Sequence, residues 1–253
     1  MRYNEVGDYM KEKIKKWIEE AEHIVFFGGA GTSTESGIPD FRSKDGLYHL
    51  KYDVPPEEIL SYHYFLMHPE KFYTFYRDRM DFRNAKPNIT HQVLAKLEHR
   101  GVLDGIITQN IDDLHEKAGS KNVFHLHGSI LENHCMKCHR SYPAEDVFDI
   151  DSIPTCICGG RIKPDVVLYE EPLPEQVVNH SIRLLEQADL LIIGGTSLSV
   201  YPAASFIRFF RGKRIIVINR ETIDTSLVTS SGQEILMVEE SLGNIFKYLD
   251  KKV

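Results

Sequence analysis

IVFFGGAGTSTESG occupies residues 24–37. The four residues Ile24–Phe27 are apolar without alternation, the pattern of a strand covered on both faces in a parallel sheet. Small residues follow at once, and such residues after a first parallel strand let a backbone approach a pyrophosphate at the start of a helix. Gly29-Ala30-Gly31 supplies G-x-G, but Thr34 stands where the third glycine of a dinucleotide fingerprint belongs. Alone, the stretch reads equally well as a tight structural turn.

Working outward, similar apolar runs recur at 105–108, 190–193, 215–218 and 235–238. Helical stretches Thr90–Arg100, Glu175–Gln187 and Ala203–Arg211 separate several of them, and residues 7–22 carry Met10, Ile14, Trp17 and Ile18 at helical spacing. This alternation predicts an α/β fold with a Rossmann-type, doubly wound parallel sheet. Residues 35–86 and 128–168 break the rhythm, and both exceed the length of ordinary structureless loops. They are expected to form a smaller domain from a helical insertion and a zinc-ribbon insertion. The large domain would then comprise 1–34, 87–127 and 169–253.

The chain has 253 residues, 42% apolar and 26% charged, which suits a globular protein with a sizeable core. Thirty Lys and Arg against thirty-seven Asp and Glu give a net charge of -7, with no field for gripping phosphate backbones, so no nucleic acid partner is expected. No signal-like or membrane-spanning apolar run stands out, and a cytoplasmic location without membrane association is the expectation. Oligomeric state has no signature here.

Cys135-x-x-Cys138 and Cys156-x-Cys158 are separated by seventeen residues. Two close thiol pairs at this distance match a zinc ribbon, with four thiolates around a structural Zn²⁺. His134 and His139 are alternates should the short CxC pair deliver only one thiol. Disulfides are disfavoured in the cytoplasm.

Polar residues also follow the other apolar runs: Gln109-Asn110-Ile111-Asp112, Gly195-Thr196-Ser197 and Asn219-Arg220. Groups at the carboxyl ends of parallel strands line a ligand crevice. In order, GAGTSTESGIPDFRS, TQNIDDLHEKAG, LHGS, the cysteine quartet, KPDVVLYEEPLP, GTSLSVYPAA and VINR resemble the motifs of sirtuins, the NAD-dependent protein lysine deacylases. The resemblance runs from residue 24 to about 220.

It implies NAD and Zn²⁺ as cofactors and an acyl-lysine protein or peptide as substrate, with transfer of the acyl group to ADP-ribose. Gly29, Ala30, Gly31, Thr32 and Thr34 would line the phosphates. Asp40, Phe41 and Arg42 belong to the loop that closes over NAD, Phe41 shielding the reacting carbon. Gln109 would lie beside the ribose, and Asn110 and Asp112 at the nicotinamide pocket, with Asp113 facing solvent or capping the next helix. Gly195, Thr196, Ser197 and Asn219 match adenosine-side positions. His127 matches the general base; spacing alone does not separate it from His125, which shares its side in an extended segment. Val166, Val167, Leu168 and Tyr169 match the segment that pairs with the substrate peptide, although Tyr169-Glu170-Glu171 replaces the Phe-Gly-Glu of many sirtuins. Tyr73 and Tyr76 match an acyl-pocket pair whose second member is Arg in desuccinylating sirtuins, so uncharged acyl groups are expected. The rival functions are protein ADP-ribosylation with the same cofactor, and a nucleotide-sensing or zinc-ribbon binding module.

Overall fold

A computed structural model describes residues 3–40, 46, 53–223 and 232–251. Six strands form one parallel sheet: β1 (Ile24–Gly28), β2 (Leu103–Thr108), β3 (Val123–His125), β7 (Leu190–Gly194), β8 (Arg214–Asn219) and β9 (Glu234–Glu239). Their order is β3-β2-β1-β7-β8-β9. The chain steps outward from β1 on one side, then returns to build the other half beginning at β7. This reversal beside β1 makes a crevice at the carboxyl ends of β1 and β7.

Both faces of the sheet are covered. Phe26, Ile106, Ile192 and Ile216 pack against Ile14, Trp17, Leu94 and Phe246 of helices α1 (Tyr3–Glu20), α5 (Ile89–His99) and α9 (Leu242–Asp250). The alternate residues Val25, Phe27, Ile107, Leu191 and Val217 pack against Leu185 of α8 (Glu175–Gln187) and Phe206 of the 3₁₀ helix Ala203–Phe209. Two covered faces explain why the strands read as unbroken apolar runs. α5 begins with Asn88, whose side chain accepts the Thr90 N–H at 2.9 Å while His91 Nδ1 accepts the Asn88 N–H at 3.2 Å, a reciprocal cap that satisfies two amides of the first turn.

A second hydrophobic cluster gathers the two long insertions. Helices α2 (Pro56–Ile59), α3 (Tyr62–Met67) and α4 (Pro69–Met80) meet strands β4 (Gly128–Cys135), β5 (Ser141–Pro143) and β6 (Ile162–Val166) and helix α7 (Glu145–Phe148) around Phe65, Phe72, Ile130, Val147 and Ile162. The three strands form an antiparallel sheet ordered β5-β4-β6.

The sheet contains one strand beyond the five apolar runs, because Val123-Phe124-His125 is too short and too polar at its end to register as one. The stretch Ala203–Arg211 forms a 3₁₀ helix over Ala203–Phe209 instead of an α-helix. Among the described residues, no helix is long and apolar enough to cross a membrane.

Candidate active site

The loop leaving β1 and the loop leaving β7 cross with backbone against backbone. Gly29 N–H donates to Gly194 O at 3.2 Å and Gly31 N–H to Gly195 O at 2.8 Å. A Cβ on Gly31 would lie 2.7 Å from Gly195 Cα, and one on Gly195, at φ +60°, would lie 2.5 Å from Thr32 N. Neither position has room for a side chain. The expected helix start is absent here: the chain makes two 3₁₀ turns, Ala30–Thr32 and Thr34–Ser36. Thr34 Oγ1 closes this loop on Gly31 O at 3.1 Å.

The other cofactor candidates stand along the same edge. Gln109 N–H donates to Gly28 O at 3.0 Å, and its Nε2 donates to Thr196 Oγ1 at 3.1 Å, joining the ends of β2 and β7. Ser197 Oγ lies 2.6 Å from Ser199 Oγ, and Asn219 Nδ2 donates to Glu221 O at 3.0 Å. Asp40 closes the described run, while Phe41 and Arg42 lie outside the described residues.

Asp112 and Asn110 are both buried and converge on a residue that sequence reading did not single out, Ser33. Ser33 Oγ donates to Asp112 Oδ2 at 2.8 Å and accepts from Asn110 Nδ2 at 3.0 Å. Burial raises the Asp112 pKa, while the Leu114 N–H and the Ser33 hydroxyl pull it back. Asp112 Oδ1 accepts the Leu114 N–H at 3.1 Å and so caps helix α6 (Leu114–Ala118). Asp113, expected to face solvent or to cap this helix, pairs with Lys117 at 2.9 Å and makes no side-chain cap bond.

Geometry separates the two histidines. His127 Nδ1 lies 2.8 Å from Gln109 O, an acceptor only, so Nδ1 carries the proton and Nε2 keeps a lone pair. Burial lowers the His127 pKa and outweighs the opposing bond to Gln109 O, which keeps the ring neutral near pH 7. His125 has no such lone pair. Its Nδ1 faces Asn110 O at 3.1 Å and its Nε2 faces Glu116 Oε1 at 2.6 Å, so both nitrogens donate. Burial opposes that charge, yet the bond to Glu116 prevails and the His125 pKa is raised.

After β6 the chain passes His127 and meets the junction of α2 and α3. Val167 N–H donates to His127 O at 2.9 Å, Tyr169 N–H to Leu60 O at 3.0 Å, and Tyr62 N–H to Tyr169 O at 3.0 Å. Leu168 is held by Glu171, its N–H donating to Glu171 Oε2 at 2.8 Å, and Val166 O accepts from Lys163 Nζ at 3.0 Å. Glu170 adopts φ +77°, the left-handed conformation, and its Oε2 accepts the His63 N–H at 2.9 Å. The backbone N–H and C=O of Glu170 have no partner among the described residues. Tyr73 and Tyr76 are fully buried in the small core: the Tyr73 hydroxyl donates to Ile162 O at 2.5 Å, and Tyr76 stacks between Phe72 and Phe148. Arg77 points to the zinc module, with Nε on Val147 O at 2.7 Å and Nη2 on Ser152 O at 2.5 Å.

The four cysteine sulfurs lie within 4.8 Å of one another. Sγ of Cys135 is 3.5 Å from that of Cys158, and Sγ of Cys138 is 3.6 Å from that of Cys156. A tetrahedron with Zn–S bonds of about 2.3 Å needs similar edges. Amides of Lys137 and Cys158 donate to Cys135 Sγ and Cys156 Sγ at 3.3 and 3.5 Å, which suits thiolates. Both thiols of the CxC pair join the cluster, and His134 is committed to Asp165. The donor set fits Zn²⁺ and leaves it no open position.

The model of the Sir2 family matches residues 29–202. An NAD-dependent protein deacetylase of Clostridium acetobutylicum is 49% identical over 239 residues, 93% of this chain and 96% of its own. NAD-dependent protein deacylase 1 of Archaeoglobus fulgidus is 47% identical over 214 residues, 83% of this chain and 86% of its own. A solved Sir2 with deacetylated p53 peptide and 3'-O-acetyl ADP-ribose superposes with a TM-score of 0.84 at 34% identity, over 95% of this chain and 97% of that one. A mutant Sir2 homologue in complex with 2'-O-acetyl ADP-ribose gives 0.84 at 40% identity, over 96% of each chain.

Proposed function

The chain belongs to the Sir2 family, and from that membership we infer that it is an NAD-dependent protein lysine deacetylase. When bound, NAD supplies the ribose carbon that takes the acyl oxygen as nicotinamide departs, and the hydroxyl that finally carries the acyl group. The observation that carries the role of His127 is its tautomer: Nδ1 is tied to Gln109 O, and Nε2 is left to accept a hydroxyl proton.

The crossed backbone of Gly29, Ala30, Gly31 and Thr32, with Thr34 behind it, holds phosphate, while Gly195, Thr196, Ser197 and Asn219 hold the adenosine end and Gln109 the ribose. Asp112, fixed by Ser33 and Leu114, places negative charge where departure of nicotinamide leaves the ribose positive, and Asn110 completes that wall. Asp40, Phe41 and Arg42 match the segment that closes over NAD in sirtuins, Phe41 and Arg42 lying outside the described residues. The open backbone of Glu170 offers an edge for pairing with an extended peptide, beside Val166, Val167, Leu168 and Tyr169. Zn²⁺ on Cys135, Cys138, Cys156 and Cys158 holds the small domain, 35–86 with 128–168, in shape against the remainder.

Arg77 is spent on two carbonyls and Tyr76 is a phenol that carries no positive charge, so neither offers a cation to a buried acyl carboxylate. Acetyl and other uncharged acyl groups are therefore the substrates. A cytoplasmic location with neither nucleic acid nor membrane as partner completes the reading. The test is nicotinamide release from NAD with acetyl-lysine and succinyl-lysine forms of one peptide. Release that needs the acetyl peptide supports deacetylation. Release without it, with label carried to protein, supports ADP-ribosylation, and higher efficiency on the succinyl peptide overturns the acyl preference.

A further inference from the structure

Glu35 lies one residue beyond Thr34, in the second 3₁₀ turn of the phosphate loop. Its carboxylate reaches the start of helix α9. Oε1 accepts the N–H of Gly243, the second residue of α9, at 3.1 Å. The N-cap Ser241 serves the next amide, with Ser241 Oγ accepting the Asn244 N–H at 3.2 Å. Glu35 thus completes the cap of a nine-residue helix from outside it, and its charge meets the positive end of the helix dipole.

α9 is a firm anchor for this contact. Leu242, Ile245 and Phe246 are buried in the core, and the Phe246 ring meets Phe26, two residues before the end of β1, edge-on at 6.3 Å. Gly243 is buried, and a Cβ there would overlap the Glu35 carboxylate. A side chain at 243 would therefore displace the Glu35 carboxylate from its seat on the helix end.

We propose that Glu35 is a positioning residue for NAD: pinned on Gly243, it braces the Ala30–Ser36 loop against α9 and keeps its own negative charge off the pyrophosphate. The proposal rests on the NAD reading above. Two effects act in one contact. Preorganising the loop lowers the ordering cost of binding, and parking the carboxylate on a helix end removes a repulsion that a free carboxylate next to Thr34 would exert.

The two effects predict an unusual pattern in the KM for NAD. Glu35→Gln keeps an acceptor and raises KM about twofold; Glu35→Ala loses the brace and raises it about fivefold, within the range of an ordinary lost hydrogen bond. Gly243→Ala evicts the carboxylate with its charge intact and raises KM more than tenfold. Combining Glu35→Ala with Gly243→Ala returns KM to about the level of Glu35→Ala alone, because no charge is left to evict. kcat at saturating NAD stays within about twofold throughout, and ADP-ribose binding by calorimetry follows KM. If the double variant is as impaired as Gly243→Ala or worse, or if Glu35→Ala leaves both KM and ADP-ribose binding unchanged, the proposal is wrong. Should Gly243→Ala fail to fold, the Glu35→Ala measurements alone decide. A wild-type protein that consumes no NAD would instead overturn the functional reading beneath it.

Discussion

The Ser33 hydroxyl donates to Asp112 Oδ2 across 2.8 Å in a space that excludes solvent from both side chains. Desolvation favours the neutral acid, and two donors hold the anion. Ser33→Ala removes one donor, so the Asp112 pKa climbs further and protonation on acidification begins at higher pH. Nicotinamide exchange should then lose its acid limb at a higher pH than in the wild type. Asp112→Asn should lower exchange at every pH, by roughly 10–100-fold if the carboxylate stabilises developing charge, while ADP-ribose still binds. Equal exchange rates in Asp112→Asn and the wild type would remove Asp112 from the chemistry.

His127 predicts a different pH signature. Its pKa is lowered by burial, so the neutral ring persists below the ordinary value of 6.5. Deacetylation should hold as pH falls to 6.5 and decline only beneath it. His127→Ala should reduce turnover by roughly 10²–10⁴-fold and leave ADP-ribose binding in place, as isothermal titration would show. Near-normal turnover in the folded variant would assign the proton transfer elsewhere.

Replacing any of Cys135, Cys138, Cys156 or Cys158 should abolish stoichiometric zinc by elemental analysis and lower the melting temperature. Cys135 and Cys156 are themselves part of the small core, so loss of metal loosens the packing around Phe65 and Ile162. Activity should fall as a consequence of that loosening. Native protein with no zinc and four freely titratable thiols would contradict the site.

Glu170 occupies a backbone conformation that suits glycine, at a cost of about 1–2 kcal/mol. Its bond to the His63 amide offsets that cost. Glu170→Gly loses the bond and the strain together, so stability should change by less than about 1 kcal/mol; Glu170→Ala keeps the strain and should be less stable than Glu170→Gly. Urea unfolding of the two variants ranks them, and the opposite order would mean the strain is absent.

His91 and His115 form a second titrating pair, buried with ring centroids 4.7 Å apart. Burial lowers both, His91 to about 4 and His115 well below its ordinary value, with His115 further disfavoured by the charge of its histidine neighbours. Their folded pKa values lie under the unfolded one, so the unfolded chain takes up protons first as pH falls. Stability should therefore decline from pH 6.5 toward 4, by about 3 kcal/mol from His91 alone. A pH-independent urea midpoint across that window would show that these rings charge in place.

The large sheet was legible because Ile24–Phe27, Leu190–Ile193 and Ile215–Ile218 are covered on both sides and so apolar throughout. Val123–His125 escaped notice because an edge strand of three residues needs no such run. The cysteine spacing announced its cluster, since chelation demands short loops. Ser33 was hidden among small residues, and only its neighbours in space, Asn110 and Asp112, reveal why a hydroxyl stands there. Of the two roles open to Asp113, facing solvent or capping, the capping one belongs to Asp112, because two adjacent carboxylates differ only in which way the chain turns them. Tyr73 and Tyr76 followed helical spacing correctly, but a period locates a face and does not say what covers it. Here the zinc module does.

The crossing of Gly31 and Gly195 bears on drug resistance. A compound seated against this crossing would meet backbone whose Gly29 and Gly31 amides are already spent on Gly194 O and Gly195 O, and every replacement at Gly31 or Gly195 adds a carbon where backbone already stands. Escape from such a compound would have to come from the rim, through side chains such as Gln109 or Ser197. Chemical series that stay within the glycine crossing should select resistant variants more slowly than series that reach outward to those residues.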